Sequence, residues 1–506
     1  LAPPTFTFAG LPAKLRAMEV YTTDVLVVGS GGAGLRAAIA SANGGRKTLI
    51  VSRGSPALGS ATLLSDGFFS SSGHDMSAGE HARLTMETGY FWNNPELVRV
   101  LAQEARPRLE ELSRRGARFL RDEGGMRIPR RACATGMGII EVLKTWAAQV
   151  GVVSMGWTTV VDLIVDEGQV AGCHAIARGQ PLIILARATV LCTGGASALF
   201  RFHDNPFTSL GEGYAVADCA GVTLADMEFI QFYPLVTNEP GTPKTLIMPP
   251  LTDIGKIVND EGEDLVEKYG LTSFRPLASR ARDRLSRALF LEHLAGHKVF
   301  FDLRAMTEGD WQGPAAGKDL QRLFETRYHS ATAPIPVMPA AHFTMGGIPI
   351  DESGRTVKEG LLAAGEVTCG LHGANRLGGN ALSEILVFGA RAGEAAAARA
   401  GSISAPRQMR PWPGAGRASP SGASPLSVLR SLKEIMWKHC GPVRTVEGLT
   451  LGASLVAKLQ KETLGARKPG EIALGASVGN ALLTARRIFE AAEARRETLG
   501  AHFLAD

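Results

Sequence analysis

Cysteine is scarce in this chain: six residues among 506, Cys133, Cys173, Cys192, Cys219, Cys369 and Cys440, with no CxxC spacing among them. That excludes a disulfide framework and a resident iron–sulfur or zinc cluster, and leaves most of the thiols to be read as reduced and buried. Long apolar runs are missing as well. No uninterrupted stretch reaches the roughly 18 residues of a membrane span, and residues 1–18 lack the form of a signal peptide. The sequence starts at Leu1, so what precedes it stays open. A large charge excess is absent too: Lys plus Arg outnumber Asp plus Glu by 54 to 49, and no basic run is interleaved with aromatics. A nucleic-acid groove is therefore not written here, and the small positive excess suits small anionic ligands better than polyanions. What remains is an ordinary globular composition, 45% hydrophobic, in a chain long enough for two or three domains.

Residues 23–55 read as a short apolar run, a glycine turn, a small-residue helix and a second apolar run. That pattern is a βαβ unit with a GxGxxG turn at Gly29, Gly31 and Gly34. The glycines allow a tight turn and a pyrophosphate on the N-terminus of a helix beginning near Ala33. The motif alone is a weak signal; the strand before it and the helix after it strengthen it. Residues 188–200 form a second apolar strand ending in glycines, a return to the same sheet. Residues 226–340 change character, rich in Pro and polar residues with a helical stretch over 276–297, before glycine-rich sequence resumes. An inserted domain explains this better than two independent halves. The expected organisation is α/β, with a Rossmann-like domain in two segments (19–225 and 341–400), an inserted α+β domain (226–340), a Pro, Gly and Ser-rich linker (401–425) and a helical C-terminal domain (426–506). In 372–382, HGANRLGGNAL, Arg376 lies among Gly373, Gly378 and Gly379. A guanidinium held against bare backbone is suited to grip something planar and negative.

The stretches GSGGAGLRAAI, TVLCTGG, LGEGYAVADCAG, DMEFIQFYP, ARDRLSRA, KVFFDLR, HFTMGGIPID, AAGEV, HGANRLGGNAL, LKEIMWKHCGPVR and RRETLGAH follow one another along residues 29–502. In kind and order they resemble the flavoprotein subunit of fumarate reductases and succinate dehydrogenases, a family that includes L-aspartate oxidases. The resemblance runs from about residue 21 to the end. It implies FAD in a two-segment domain, a capping domain closing over the flavin, and a small carboxylate-bearing substrate. For the cofactor it implies Gly29, Ser30, Gly31, Gly32, Ala33, Gly34, Ser52 and Arg53 at the adenosine and pyrophosphate. It further implies Ser60, Thr62, Gly67, Gly194, Glu212 (for the family's aspartate), Glu366, Arg376, Asn380, Ala381 and Leu382 along the rest. Membrane-bound relatives carry a linking histidine in a stretch like SHT; here residues 59–69 read GSATLLSDGFF, and His74 falls past that position, so FAD is expected to be noncovalent.

The same resemblance places Arg282 as the acid or base that moves a proton while hydride passes between flavin N5 and the neighbouring carbon. It places His342 and Arg376 on a substrate carboxylate. An arginine, with a free pKa above about 12, needs a compressed, charged site for such a role. Two departures stand out. QFHPT becomes QFYPL, so Tyr233 replaces a histidine for the second carboxylate and Leu235 a threonine, and the TEG-type stretch is replaced by MPPLTDIGKIVND, where Lys256 is one candidate for the missing charge. Having no cluster of its own, the chain is expected to exchange electrons with a separate iron–sulfur or other electron-transfer protein. It is expected in the cytoplasm, or at a membrane through partner subunits. An L-aspartate oxidase-like enzyme and a flavin-bearing relay scaffold with an altered substrate site are the alternatives.

Overall fold

The computed structural model describes residues 19–73, 75–122, 125–128, 135–242, 244–248, 251–275, 277, 281–311, 317–404, 422–462, 464–465 and 469–505. His74, Cys133 and most of the expected 401–425 linker lie outside them. Of the remaining cysteines, Cys173, Cys192, Cys369 and Cys440 are buried as expected, whereas Cys219 is exposed.

Runs of β-branched residues form the central sheet, in the order Val153–Met155, Thr48–Val51, Glu19–Val28, Gln180–Leu191, Gln169–Ala177, Thr158–Asp166. The first four strands run parallel, Leu361–Ala363 joins Gln180–Leu191 in the same sense, and each of the last two pairs antiparallel with the strand before it. Val25, Leu26, Val27, Val190 and Leu191 are wholly buried, as strands covered on both faces require. The strand expected over 188–200 is thus the end of a longer one, directly beside the strand that leads into the glycine turn.

Helix Gly32–Asn43 lies on this sheet against helix Asn380–Ser402. A Cβ on Gly389 would sit 2.9 Å from Ala33 O and one on Gly393 2.1 Å from Ala37 O, so only glycine lets the backbones approach this closely. Contacts advance together along both chains, from 33–389 to 37–393. The helices therefore run parallel, with their N-termini at the same end of the sheet.

A second sheet is antiparallel, in the order Ile230–Thr237, Ile335–Thr344, Val299–Asp302, Lys256–Asn259. It has its own core, including Leu235, Ile257, Leu285, Leu289 and Phe301. The helix expected over 276–297 is described over Arg282–Leu294; a 3₁₀ turn at Thr272–Phe274 and extended Arg275 precede Pro276. Ser286 Oγ donates to Phe232 O at 3.1 Å, fixing this helix on the first strand of the sheet.

Helices Pro425–Cys440, Val446–Gln460 and Pro469–Ala494 pack on the first body. The expectation of helix to the end of the chain fails after Ala494. There the backbone turns back to bond Arg444, with Arg444 N donating to Phe503 O (3.1 Å) and Ala505 N to Arg444 O (2.9 Å). Buried Arg444 supplies the reason: its Nη1 donates to Glu228 O at 2.8 Å and to His502 Nδ1 at 2.7 Å, and a continuing helix would carry His502 away. The architecture is α/β in class, a two-segment nucleotide-type body with an inserted α+β unit and a helical C-terminal region.

Candidate active site

The chain leaves the strand Glu19–Val28 at Gly29, whose φ of 104° and 2.2 Å clearance between an added Cβ and Cys192 O admit only glycine. Gly31 is the N-cap of helix Gly32–Asn43, with no side-chain cap and no acid in the first turn. Gly379, at φ 84°, starts helix Asn380–Ser402 in the same uncapped way. Both helices thus point an uncapped positive end toward the same end of the sheet, and such an end can receive an anion. Thr62 Oγ1 accepts from Gly32 N at 3.1 Å, tying the following loop to the turn.

Several of the expected cofactor residues use their side chains to shape loops. Ser30 Oγ accepts from Ala57 N (2.7 Å), Ser60 Oγ from Leu63 N (3.2 Å), and Ser52 Oγ donates to Gly54 O (2.9 Å). Arg53 Nη1 lies 2.5 Å from Glu212 Oε1, joining the end of the second strand to the start of helix Glu212–Cys219. Gly67, at φ 76°, follows Asp66, which pairs with Arg127 at 3.0 Å. Asn380 turns its amide away into a buried cluster, its Oδ1 2.7 Å from His81 Nε2 and its Nδ2 donating to Thr85 Oγ1 at 2.9 Å. Ala381 and Leu382 complete that helix's first turn.

Around Gly194 the backbone borders open space, and the hydroxyl of Thr193 beside it is buried with no hydrogen-bond partner. Glu366, accepting from Thr344 N at 3.0 Å, has its carboxyl pushed up to about 7 by burial. Uncapped helix ends, open backbone at Gly194 and the orphaned Thr193 hydroxyl fit an elongated diphosphate cofactor such as FAD.

The residues expected to handle substrate converge on the first strand of the second sheet. Gln231 organises them. Its Oε1 accepts from Arg376 Nη2 at 3.0 Å and from Arg282 Nη1 at 3.2 Å, while its Nε2 donates to Asn375 Oδ1 at 2.7 Å and to Arg376 O at 3.0 Å. Only an amide oxygen can face two guanidiniums, so the orientation of the side chain is dictated. Burial, and then the charge of Arg282, lowers the Arg376 pKa to about 10. Arg376 also stacks 4.5 Å over the Phe343 ring and keeps a buried Nε without a hydrogen-bond partner. Arg282 is not the helix-surface partner of Asp283, which instead pairs with Arg287 at 3.3 Å. Burial lowers the Arg282 pKa too.

His342 sits where the pairing of strands Ile230–Thr237 and Ile335–Thr344 slips: Gln231 faces Phe343 and Phe232 faces Ala341, leaving His342 as the extra residue of a bulge. Bulges re-aim side chains in this way. His342 Nδ1 lies 2.7 Å from Oδ2 of buried Asp204. A carboxylate only accepts, so Nδ1 carries the proton and Nε2 is the nitrogen left to meet a ligand. Tyr233 lies between these groups, its ring 5.5 Å from the Arg282 guanidinium and 5.5 Å from the His342 ring. Gln231, Asn375 and Asp204 are the site residues that sequence reasoning missed.

Comparison with known proteins is consistent with this geometry. Residues 24–382 match the family model described as FAD binding domain, and residues 429–506 match that of the fumarate reductase flavoprotein C-terminus. The chain is 31% identical to a fumarate reductase (CoM/CoB) subunit of Methanothermobacter marburgensis, over 96% of this chain and 95% of that one. It is 30% identical to an L-aspartate oxidase of Mesorhizobium japonicum, over 95% and 91%. A solved Escherichia coli quinol fumarate reductase flavoprotein chain, carrying one substitution, superposes with a TM-score of 0.83 at 28% identity, covering 97% of this chain and 92% of that chain.

Proposed function

Because this chain belongs to the flavoprotein family of fumarate reductases, succinate dehydrogenases and L-aspartate oxidases, we propose that Arg376 and His342 hold a substrate carboxylate while the adjacent C–C bond is reduced or oxidised with Arg282 serving the proton. The chain is an FAD-dependent oxidoreductase acting on CH–CH bonds. FAD, when bound, would supply two-electron hydride chemistry. Everything else falls to the protein.

Arg376 and His342 Nε2 grip the carboxylate. The observation that carries this reading is the convergence of two buried guanidiniums on one neutral oxygen, Gln231 Oε1, with Arg376 Nε buried beside it and without a hydrogen-bond partner. Asp204 fixes the tautomer and direction of His342. Arg282 gives or takes the proton at the neighbouring carbon. A cleft lined by Arg282, Asp283, Arg287, Asn375 and Phe503 supports a solvent route to it in place of the family's acid and arginine relay. Residues 226–340 act as the cap, so that Arg282 meets the other body when the site is closed and water is excluded.

Electrons are exchanged with a separate protein, an iron–sulfur or other electron-transfer subunit; the relatives named as subunits support this. Among the described residues no helix is long and apolar enough to cross a membrane, so attachment to one would run through such partners. Kinship with L-aspartate oxidases supports a second reading, in which an amino acid carboxylate occupies the same grip. The test is to assay the FAD-loaded protein anaerobically with reduced viologen and unsaturated carboxylates, and aerobically with L-aspartate. Reoxidation of viologen supports the first reading, release of oxaloacetate and ammonia the second, and neither activity would refute both.

A further inference from the structure

We propose that the substrate of this site, given the oxidoreductase reading above on which the assignment rests, is a monocarboxylate: an α,β-unsaturated acid, or its saturated counterpart, whose β-substituent is neutral and apolar and packs against Tyr233 and Met248. The end of the site away from Arg376 carries the argument. Tyr233 is 2% exposed, and it turns its ring rather than its hydroxyl toward Arg282 and His342. The hydroxyl points the other way. It donates its one proton to Ile247 O at 2.9 Å and lies 3.1 Å from Met248 Sδ. A carboxylate can only accept, so it finds no donor in this phenol. Burial keeps the phenol neutral by raising its pKa.

Among the described residues, the hydroxyl end of Tyr233 lies against apolar side chains. Tyr233, Val236 and Ala340 form one cluster with Leu246 and Met248 packed against it. Leu235, at the position of a family threonine, is fully buried in the core of the inserted unit and offers the site nothing. Lys256 does not supply the missing charge. It is exposed, and its strand is the fourth of the sheet while Tyr233 is on the first, about 14 Å away at ordinary strand spacing. It lies in register with Asp302. A dianion would therefore bring its second carboxylate to a desolvated wall of carbon and sulfur, whereas an alkyl or aryl group there fills a surface that already excludes water.

In the reductive direction the C=C π bond breaks and two C–H bonds form, one from a hydride and one from a solvent proton. The two electrons drawn from the cofactor are restored in the assay by reduced viologen.

The experiment titrates the oxidised, FAD-loaded protein with (E)-2-butenoate, which replaces one fumarate carboxylate by a methyl group, and with fumarate. Dissociation constants are read from the flavin absorption bands. Butenoate is expected to bind at least about 10-fold more tightly, and Tyr233→His to strengthen fumarate binding by about 10 to 150-fold, the range of one charge-assisted hydrogen bond. Fumarate binding as tightly as butenoate in the wild type overturns the substrate assignment yet leaves the flavoprotein reading standing. A loaded protein whose flavin responds to neither acid, and which neither reoxidises with any unsaturated carboxylate nor consumes aspartate, overturns both. The wild-type comparison decides the matter even if the variant does not fold.

Discussion

Replacing Gln231 by glutamate puts a carboxylate where the amide oxygen now receives Arg376 Nη2 at 3.0 Å and Arg282 Nη1 at 3.2 Å. A substrate carboxylate held on the far side of the same guanidiniums would lie about 5–6 Å from the new charge. At an effective dielectric constant of about 20, two unit charges at that separation repel by about 3 kcal/mol. Ligand affinity should fall by roughly 100-fold. The fold should tolerate the change far better. The bonds from the two arginines, charge-assisted already by their donors, become ion pairs. Against this stand the desolvation of the carboxylate and the loss of the donations to Asn375 Oδ1 and Arg376 O. Titration of flavin absorbance with the best carboxylate ligand gives the affinity, and thermal unfolding of the same samples gives the stability. A Gln231→Glu protein that binds carboxylates as tightly as the wild type, with FAD in place, would mean that Arg376 is a structural tie and not a ligand grip.

Three further outcomes are expected. Asp204→Asn should weaken carboxylate binding about 10-fold, since a charge-assisted bond to His342 Nδ1 becomes a neutral one, with FAD affinity unchanged; equal carboxylate affinity in the two proteins would remove Asp204 from the site. Acid precipitation should release all the yellow colour, because residues 59–69 hold no histidine for a flavin link, and flavin in the pellet would contradict this. Glu366 is pushed from 4.5 up to about 7 in the fold, so its contribution to the stability of the cofactor-free protein is full below pH about 4.5 and is lost as pH rises through about 7. That difference corresponds to about 3 kcal/mol. Wild type should lose that much stability relative to Glu366→Gln between pH 4 and 8 in urea titrations; parallel curves would show that the carboxyl is not perturbed.

The glycine turn and its flanking strand and helix were legible because local sequence decides them: Gly29 and Gly34 are demanded by backbone contacts within the unit itself and with Cys192. The meeting of Arg282, His342 and Arg376 was legible only through resemblance, since the three lie on separate elements and no periodicity links them. Gln231 went unnoticed for a physical reason. A glutamine reads as a neutral strand residue until the fold brings it two arginines from positions 51 and 145 residues away. The bulge that aims His342 depends on a register slip between strands about a hundred residues apart, to which neither strand's own alternation points. Asn380 was expected at the cofactor, yet its amide is drawn off by His81 and Thr85 on a distant helix. Tyr233 was read as a departure from its sequence context, but the direction of its hydroxyl depends on Ile247 and Met248, which had no visible reason to lie near it.

The most direct test of a carboxylate grip coupled to FAD chemistry is an anaerobic single turnover. The FAD-loaded protein is reduced stoichiometrically, then mixed with an α,β-unsaturated carboxylate while flavin absorbance is followed. Wild type should reoxidise fully, forming one saturated acid per flavin. Arg282→Ala should bind the acid but stay reduced, and Arg376→Ala should need far higher acid concentrations. Reoxidation by Arg282→Ala and Arg376→Ala at the wild-type rate and concentration dependence would contradict the arginine-pair site.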